Sequence, residues 1–177
     1  MSRELKNDYK DYDTFAVANY ILDKLESYTI EVTNLKLQKL MYFAYGINLS
    51  LFNEKLFCSQ IEAWRLGPVI PSVYTEFKGY IKEPIKTRAY SEKNDKSGEV
   101  VLPILDKGNK YIQSLNIACA AYGNKKASTL VNMTHNEKGA WFKCYKDNER
   151  DIIIPDDKIK KEFDDYLKDL SHYLLSK

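Results

Sequence analysis

The chain is poor in every residue type that usually announces chemistry. It has two histidines, His135 and His172, and three cysteines, Cys58, Cys119 and Cys144. None has metal-ligand spacing and no C-x-x-C pair occurs, which argues against structural zinc and a dithiol centre. No cysteine has an obvious electropositive neighbour or resolving partner, so reduced thiols in a cytoplasmic protein are expected. The seven glycines never form G-x-G-x-x-G or a P-loop, so no phosphate cradle is expected. A net charge of +2 is too near neutral to argue for nucleic acid or an anionic membrane. No defensible helix-turn-helix signature is present. No apolar window is long enough to cross a bilayer. The opening M-S-R-E-L-K-N-D-Y-K lacks the apolar core of a secretory signal. The expectation is therefore a protein with no metal, no cofactor, no direct nucleic-acid partner and no membrane partner.

Tyrosine is abundant, at 14 residues. Lys, Asn, Ile and Tyr share A/T-rich codons and are all plentiful, so codon usage is the first explanation. It leaves individual tyrosines available for an interface, where large area comes at low entropic cost. A length of 177 residues suggests one domain over 1–177. Residues 1–11 are polar and read as frayed.

Helical periodicity dominates the rest. Asp13 or Thr14 is placed to cap a first helix carrying Phe15, Ala18, Leu22 and Leu25 at helical spacing. Residues 29–32 read as a β-favouring connector. Thr33 or Asn34 can cap a second helix, in which Leu37, Leu40, Met41, Ala44, Tyr45, Asn48 and Leu51 form one stripe. Leu35, Tyr42, Phe43, Ile47 and Leu49 lie off the stripe and are also apolar. A helix apolar on most sides belongs at the centre of its domain, with Lys36 and Lys39 as early polar breaks. Gly46 lies inside it, at a cost of about 1 kcal/mol relative to Ala, which suggests close packing of another element.

Beyond it, 56–64 reads as extended and Gly67-Pro68 as punctuation. Pro71-Ser72 suits a helix start and Gly79 a stop. Residues 82–99 are charged, a solvated loop or hairpin tip, and 100–105 look extended. A long helix follows, with Tyr111, Ile112, Leu115, Ala118, Cys119 and Tyr122 on one face, ended by Gly123-Asn124. A short helix near 127–133 leads to a polar turn at 135–140 and then Trp141. The last helix starts at Pro155 and buries Ile159, Phe163, Tyr166, Leu167, Leu170 and Leu174. The fold class is mainly α: one compact helical domain with a central apolar helix and a small β-hairpin or short sheet.

No catalytic constellation emerges. Cys144 or Ser128 with His135 could be drawn as a dyad, and Glu137 added, but no flanking motif supports either. A histidine just beyond a short helix more often satisfies a backbone carbonyl. Glu62, Glu76 and Glu137 form no pair that can be placed together. Trp64 and Trp141 read as packed, with their indole N–H groups hydrogen-bonded. If exposed, either becomes a hot-spot candidate.

Three separated segments, in order, resemble the Panacea (SocA-like, DUF4065) domain of bacterial and phage antitoxins. The first is L-K-L-Q-K-L-M-Y-F-A-Y-G, with Leu37, Gln38, Lys39, Leu40 and Tyr42. The second is I-E-A-W-R-L-G-P-V-I-P-S-V-Y, with Glu62, Trp64, Gly67, Pro68, Val69 and Tyr74. The third is L-V-N-M-T-H-N-E-K-G-A-W, with Thr134, His135 and Trp141. Ala140 stands where the family often has Pro before that Trp. The resemblance implies a non-enzymatic antitoxin of a type II toxin–antitoxin system, neutralising a cognate protein toxin by direct binding. Toxins paired with such proteins are of several kinds, including alarmone-synthetase-like enzymes that modify tRNA. The alternative it implies is a proteolytic adaptor or phage-derived host-interaction protein bridging a toxin to a cellular protease. Candidate contact residues are Trp64 and Arg65, with Lys86, Arg88 and Tyr90 on the charged segment.

Overall fold

The computed structural model describes residues 8–106 and 108–175, with side chains as far as Lys168. Fraying was expected over 1–11, but residues 8–11 are held: Lys10 N donates to Glu92 O, the Tyr9 hydroxyl to Glu99, and Asp11 accepts from Ser59. Residues 1–7 and the side chains of Leu170, His172 and Leu174 lie outside the described residues. Helices dominate, joined by two small antiparallel strand pairs. The central element is α2 (Asn34–Phe52), which touches α1 (Tyr12–Glu26), α3 (Pro71–Phe77), α4 (Ile112–Tyr122), α5 (Ala127–Thr134) and α7 (Asp156–Leu175). Its residues from Lys36 to Leu49 are all buried, as a helix apolar on most sides requires. Thr33 caps it: the hydroxyl accepts a hydrogen bond from Lys36 N at 3.3 Å, satisfying one of the first free amides.

Gly46 has the role its sequence position suggested. A Cβ there would stand 2.1 Å from the Phe163 ring, so only glycine lets α7 lie this close. Tyr42, Phe43, Tyr122 and Phe163 pack in edge and stacked geometries around that contact. Buried amides are satisfied rather than stranded. Asn48 donates to Glu54 O and accepts from Ser114 Oγ. Asn19 exchanges two bonds with Ala89 and donates to Pro103 O. Such pairing offsets the cost of burying polar groups.

Several details differ from expectation. The capping position of α1 is Asp11 rather than Asp13 or Thr14, and its side chain makes no cap bond. Lys36 and Lys39 are buried, their amines donating to the Glu31 and Pro68 carbonyls, which offsets part of the cost of burial. Gly67 and Pro68 open strand β2 (Gly67–Val69) instead of forming the turn. The turn is Arg65-Leu66, closing a hairpin with β1 (Glu62–Trp64). Pro71 is the first residue of α3, where its missing N–H costs nothing. Gly79 does not stop the chain; a 3-10 turn runs over Lys78–Tyr80 and the left-handed residue is Ile81. The charged segment ends in a real hairpin, β3 (Ser91–Glu92) with β4 (Val100–Val101). A short helix, α6 (Ala140–Cys144), carries Trp141; five residues are too few to show periodicity. On α7, Ile159 and Phe163 are buried, but Leu167 is only half-buried and Tyr166 is exposed.

Candidate partner-binding face

The residues singled out in the sequence converge on the β1–β2 hairpin. Lys39 Nζ donates to Pro68 O at 2.7 Å, inside the protein. Gln38 Oε1 accepts from Ile70 N at 2.8 Å, and its amide nitrogen donates to Asn34 Oδ1. Asn34 in turn donates to Tyr74 O. Trp141 Nε1 donates to Trp64 O at 2.9 Å. Trp64 Nε1 donates to Glu62 Oε2 at 2.7 Å, and its ring meets Tyr74 edge-on, 5.0 Å between centroids. The outer edge of β1 is held as well: Ala63 N donates to Ile152 O and Ile154 N to Ile61 O. Hydrogen bonds from α2, α6 and the 152–154 segment thus reach a hairpin only eight residues long, and fix it more firmly than a two-stranded ribbon fixes itself.

Gly67 is where these clamps meet. Its φ is +101°, which disfavours side chains. A Cβ there would lie 2.6 Å from Thr134 Oγ1 and 2.9 Å from Lys39 Nζ. Burial pushes the Lys39 amine down to about 7, with no carboxylate contributing. His135 stacks flat on Trp141, 3.9 Å between ring centres, and Tyr145 stacks at 4.8 Å. Burial, and then the neighbouring Lys39, lowers the His135 pKa. Its Nε2 is buried without a partner. Neither Cys144 nor Ser128 hydrogen-bonds to it, so the imagined dyad is not assembled among the described residues.

What the clamps support is an exposed tip. Arg65 and Leu66 project into solvent, and Phe142 stands exposed on α6. Trp64, Arg65, Tyr145 and Arg150 line a groove of about 620 Å³ together with the acidic side chains Asp147, Glu149 and Asp151. Neither Arg65 nor Arg150 forms an ion pair or hydrogen bond with a described residue. Trp64 is half-buried, Trp141 buried. The other proposed contact residues lie on separate elements and their charges are spent internally. Arg88 pairs with Asp23 at 2.6 Å and with Glu26, and Lys86 with Glu31 at 3.3 Å, tying the charged segment to the end of α1 and to the connector that follows it. Tyr90 is exposed. Leu66, Phe142, Tyr145 and Arg150 stand beside Trp64 and Arg65 here and were not singled out in the sequence. The spacing of Tyr145 from Trp141, i to i+4, was the available signal.

One expectation is overturned. Cys144 does have a cationic neighbour, Lys158 Nζ, 3.7 Å from its sulfur; the two are brought together by α6 packing on α7, which sequence separation hides. Among the described residues no group of three or more His, Cys, Asp or Glu side chains could hold a metal. None of the described helices is long and apolar enough to cross a membrane.

Residues 37–142 match the antitoxin SocA-like, Panacea domain model. This chain belongs to that family. Antitoxin SocA of Caulobacter vibrioides (strain NA1000 / CB15N) is 34% identical over 137 residues, covering 77% of this chain and 72% of that protein. No solved structure matches. The matched Panacea span contains the clamps Gln38, Lys39, Thr134 and Trp141 and the whole hairpin, and ends at Phe142. Ala140, the departure from the family pattern, has a use here: its N–H donates to Glu162 Oε2 at 2.8 Å, beside the Tyr42 hydroxyl at 2.6 Å. Proline could not make that bond.

Proposed function

We propose that this chain is an antitoxin that neutralises a protein toxin by direct, stoichiometric binding, and that the toxin docks on the β1–β2 face. Family membership supports the antitoxin role. The observation that carries the location is the exposed Arg65-Leu66 tip, with Phe142 and the Trp64–Tyr145 groove beside it, on a hairpin held from inside by Lys39 and Trp141. Aromatic and arginine side chains dominate interface energetics. A surface already fixed before binding loses little entropy on docking. Arg65 and Arg150, beside the acidic Asp147, Glu149 and Asp151, give the groove charges of both signs for a complementary surface on the toxin. A specific complex would bury roughly 800 Å² on this protein.

The test is co-expression with the toxin encoded beside this gene. Wild-type protein restores growth and co-purifies with the toxin. Arg65→Glu combined with Phe142→Asp fails to restore growth while the protein remains folded and abundant. Failure of the wild-type chain to protect or to form a complex would refute the antitoxin reading. Protection by the double variant equal to wild type would refute the location.

A further inference from the structure

The segment after β4 has the properties of an open sheet edge. Along 100–104 exposure alternates: Val100 is 59% exposed, Leu102 44% and Ile104 60%, while Pro103 is buried. Period-2 alternation belongs to extended chain, but here the apolar residues face outward. The direction of the backbone follows from the ladder. Lys93 N donates to Glu99 O, and Ser91 stands opposite Val101. Glu99 and Val101 therefore turn their polar groups toward β3, as does Pro103, whose carbonyl accepts from Asn19. Val100 turns its own away, and the same alternation carried past the end of β4 sets those of Leu102 and Ile104 on that side. None of these three backbone positions hydrogen-bonds to a described residue outside the β3–β4 ladder. The far side of β3 is already taken, since Lys10 N donates to Glu92 O and Tyr9 bridges Lys93.

Natural sheet edges are normally blunted by charge, by proline on the open side or by a covering element. No charged residue occupies the three outward positions, and Pro103 faces inward. The register continued by one residue sets exposed Tyr90 across from Leu102, which widens the apolar face. The pattern is also its own complement. In an antiparallel pair with a two-fold axis at Leu102, Val100 meets Ile104 of the second copy and Leu102 meets Leu102. Apolar cross-strand pairs of this kind stabilise a sheet, and the isologous arrangement closes on itself. The adjacent tip brings no repulsion: Lys93 pairs with Asp95 at 3.6 Å and Glu99 at 3.0 Å.

We propose that residues 100–104 are a homodimerisation edge, through which two copies of this chain join their β3–β4 hairpins into one continuous antiparallel sheet. The contact is short and falls below the roughly 800 Å² per partner of a standard interface, so the dimer dissociates on dilution.

Sedimentation velocity of the purified chain over two decades of concentration, up to the upper micromolar range, tests this. A concentration-dependent shift from monomer to dimer is expected, with amides of Leu102 and Ile104 gaining protection from hydrogen exchange as dimer forms. Leu102→Lys puts a charge opposite itself. Ile104→Pro removes one outward N–H and keeps an apolar side chain. Both should be monomeric at every concentration, with wild-type circular dichroism and Tm. A wild-type chain that stays monomeric throughout overturns the proposal, as does a dimer that survives both substitutions or leaves those amides unprotected. A monomeric chain whose toxin complex is lost in Leu102→Lys would assign the edge to the toxin and equally overturn self-pairing.

Discussion

Lys39 shows how one buried side chain can fix a surface it does not reach. Its amine spends a hydrogen bond on Pro68 O, and burial lowers its pKa to about 7. The unfolded chain therefore holds a proton on this lysine that the folded protein has begun to release above that value. Stability is accordingly lowest below pH 7 and rises as pH climbs toward the unfolded lysine range, by up to about 1.4 kcal/mol per pH unit. Lys39→Met, which keeps the volume and removes the charge, should flatten that rise between pH 7 and 9. Urea unfolding of both proteins across that window measures it. Gly67→Ala should destabilise by about 2 kcal/mol, through positive φ and the clash with Thr134, read as a lower Tm. Both residues were visible in the sequence, but not their roles. Lys39 read as a polar break because a hydropathy pattern scores the charge and not the four-carbon stem. Gly67 read as the turn because glycine before proline usually is one.

At the level of elements, the sequence was most legible where periodicity was long. The stripe and the Thr33 cap of α2, Pro71 at the start of α3, and α4 through Cys119 and Tyr122 were all readable. Short elements were legible only in outline: a small hairpin was expected, but strands of two or three residues and the five-residue α6 are too short for periodicity to fix their bounds. α2 lies against α7 at Gly46 and Phe163. Gly46→Ala gains helix propensity of about 1 kcal/mol, but must displace the Phe163 ring, so a net loss of about 2 kcal/mol is expected. Pairing it with Phe163→Leu should recover part of the loss, a coupling that a double-mutant cycle detects. Ala140→Pro would restore the residue common in the family at a first-turn position where proline is ordinarily tolerated. Here it deletes the bond to Glu162, and thermal melts should show a cost of about 1.5 kcal/mol.

As a whole the molecule is a helical body whose proposed work is done by exposed side chains. The three sequence segments that revealed the family are mostly interior: they build α2, hold the hairpin and seat Trp141. Arg65 and Leu66 lie inside the second of those segments and Arg65 was singled out from it, whereas Phe142 and Arg150 lie outside all three segments and carry no periodic signal. The family and one end of the proposed face were thus legible, and the residues that the fold brings beside it were not. Exposed substitutions such as Arg65→Glu and Phe142→Asp should change stability by no more than about 0.5 kcal/mol, so their effect on neutralisation reports binding alone.

The decisive measurement is a titration of purified toxin activity with the purified chain. Loss of toxin activity should be complete near molar equivalence and should stay proportional to the amount of chain added, with the Arg65→Glu, Phe142→Asp variant requiring a large excess. Neutralisation of many toxin molecules by one copy of the chain, or an unchanged titration with the double variant, would contradict the account.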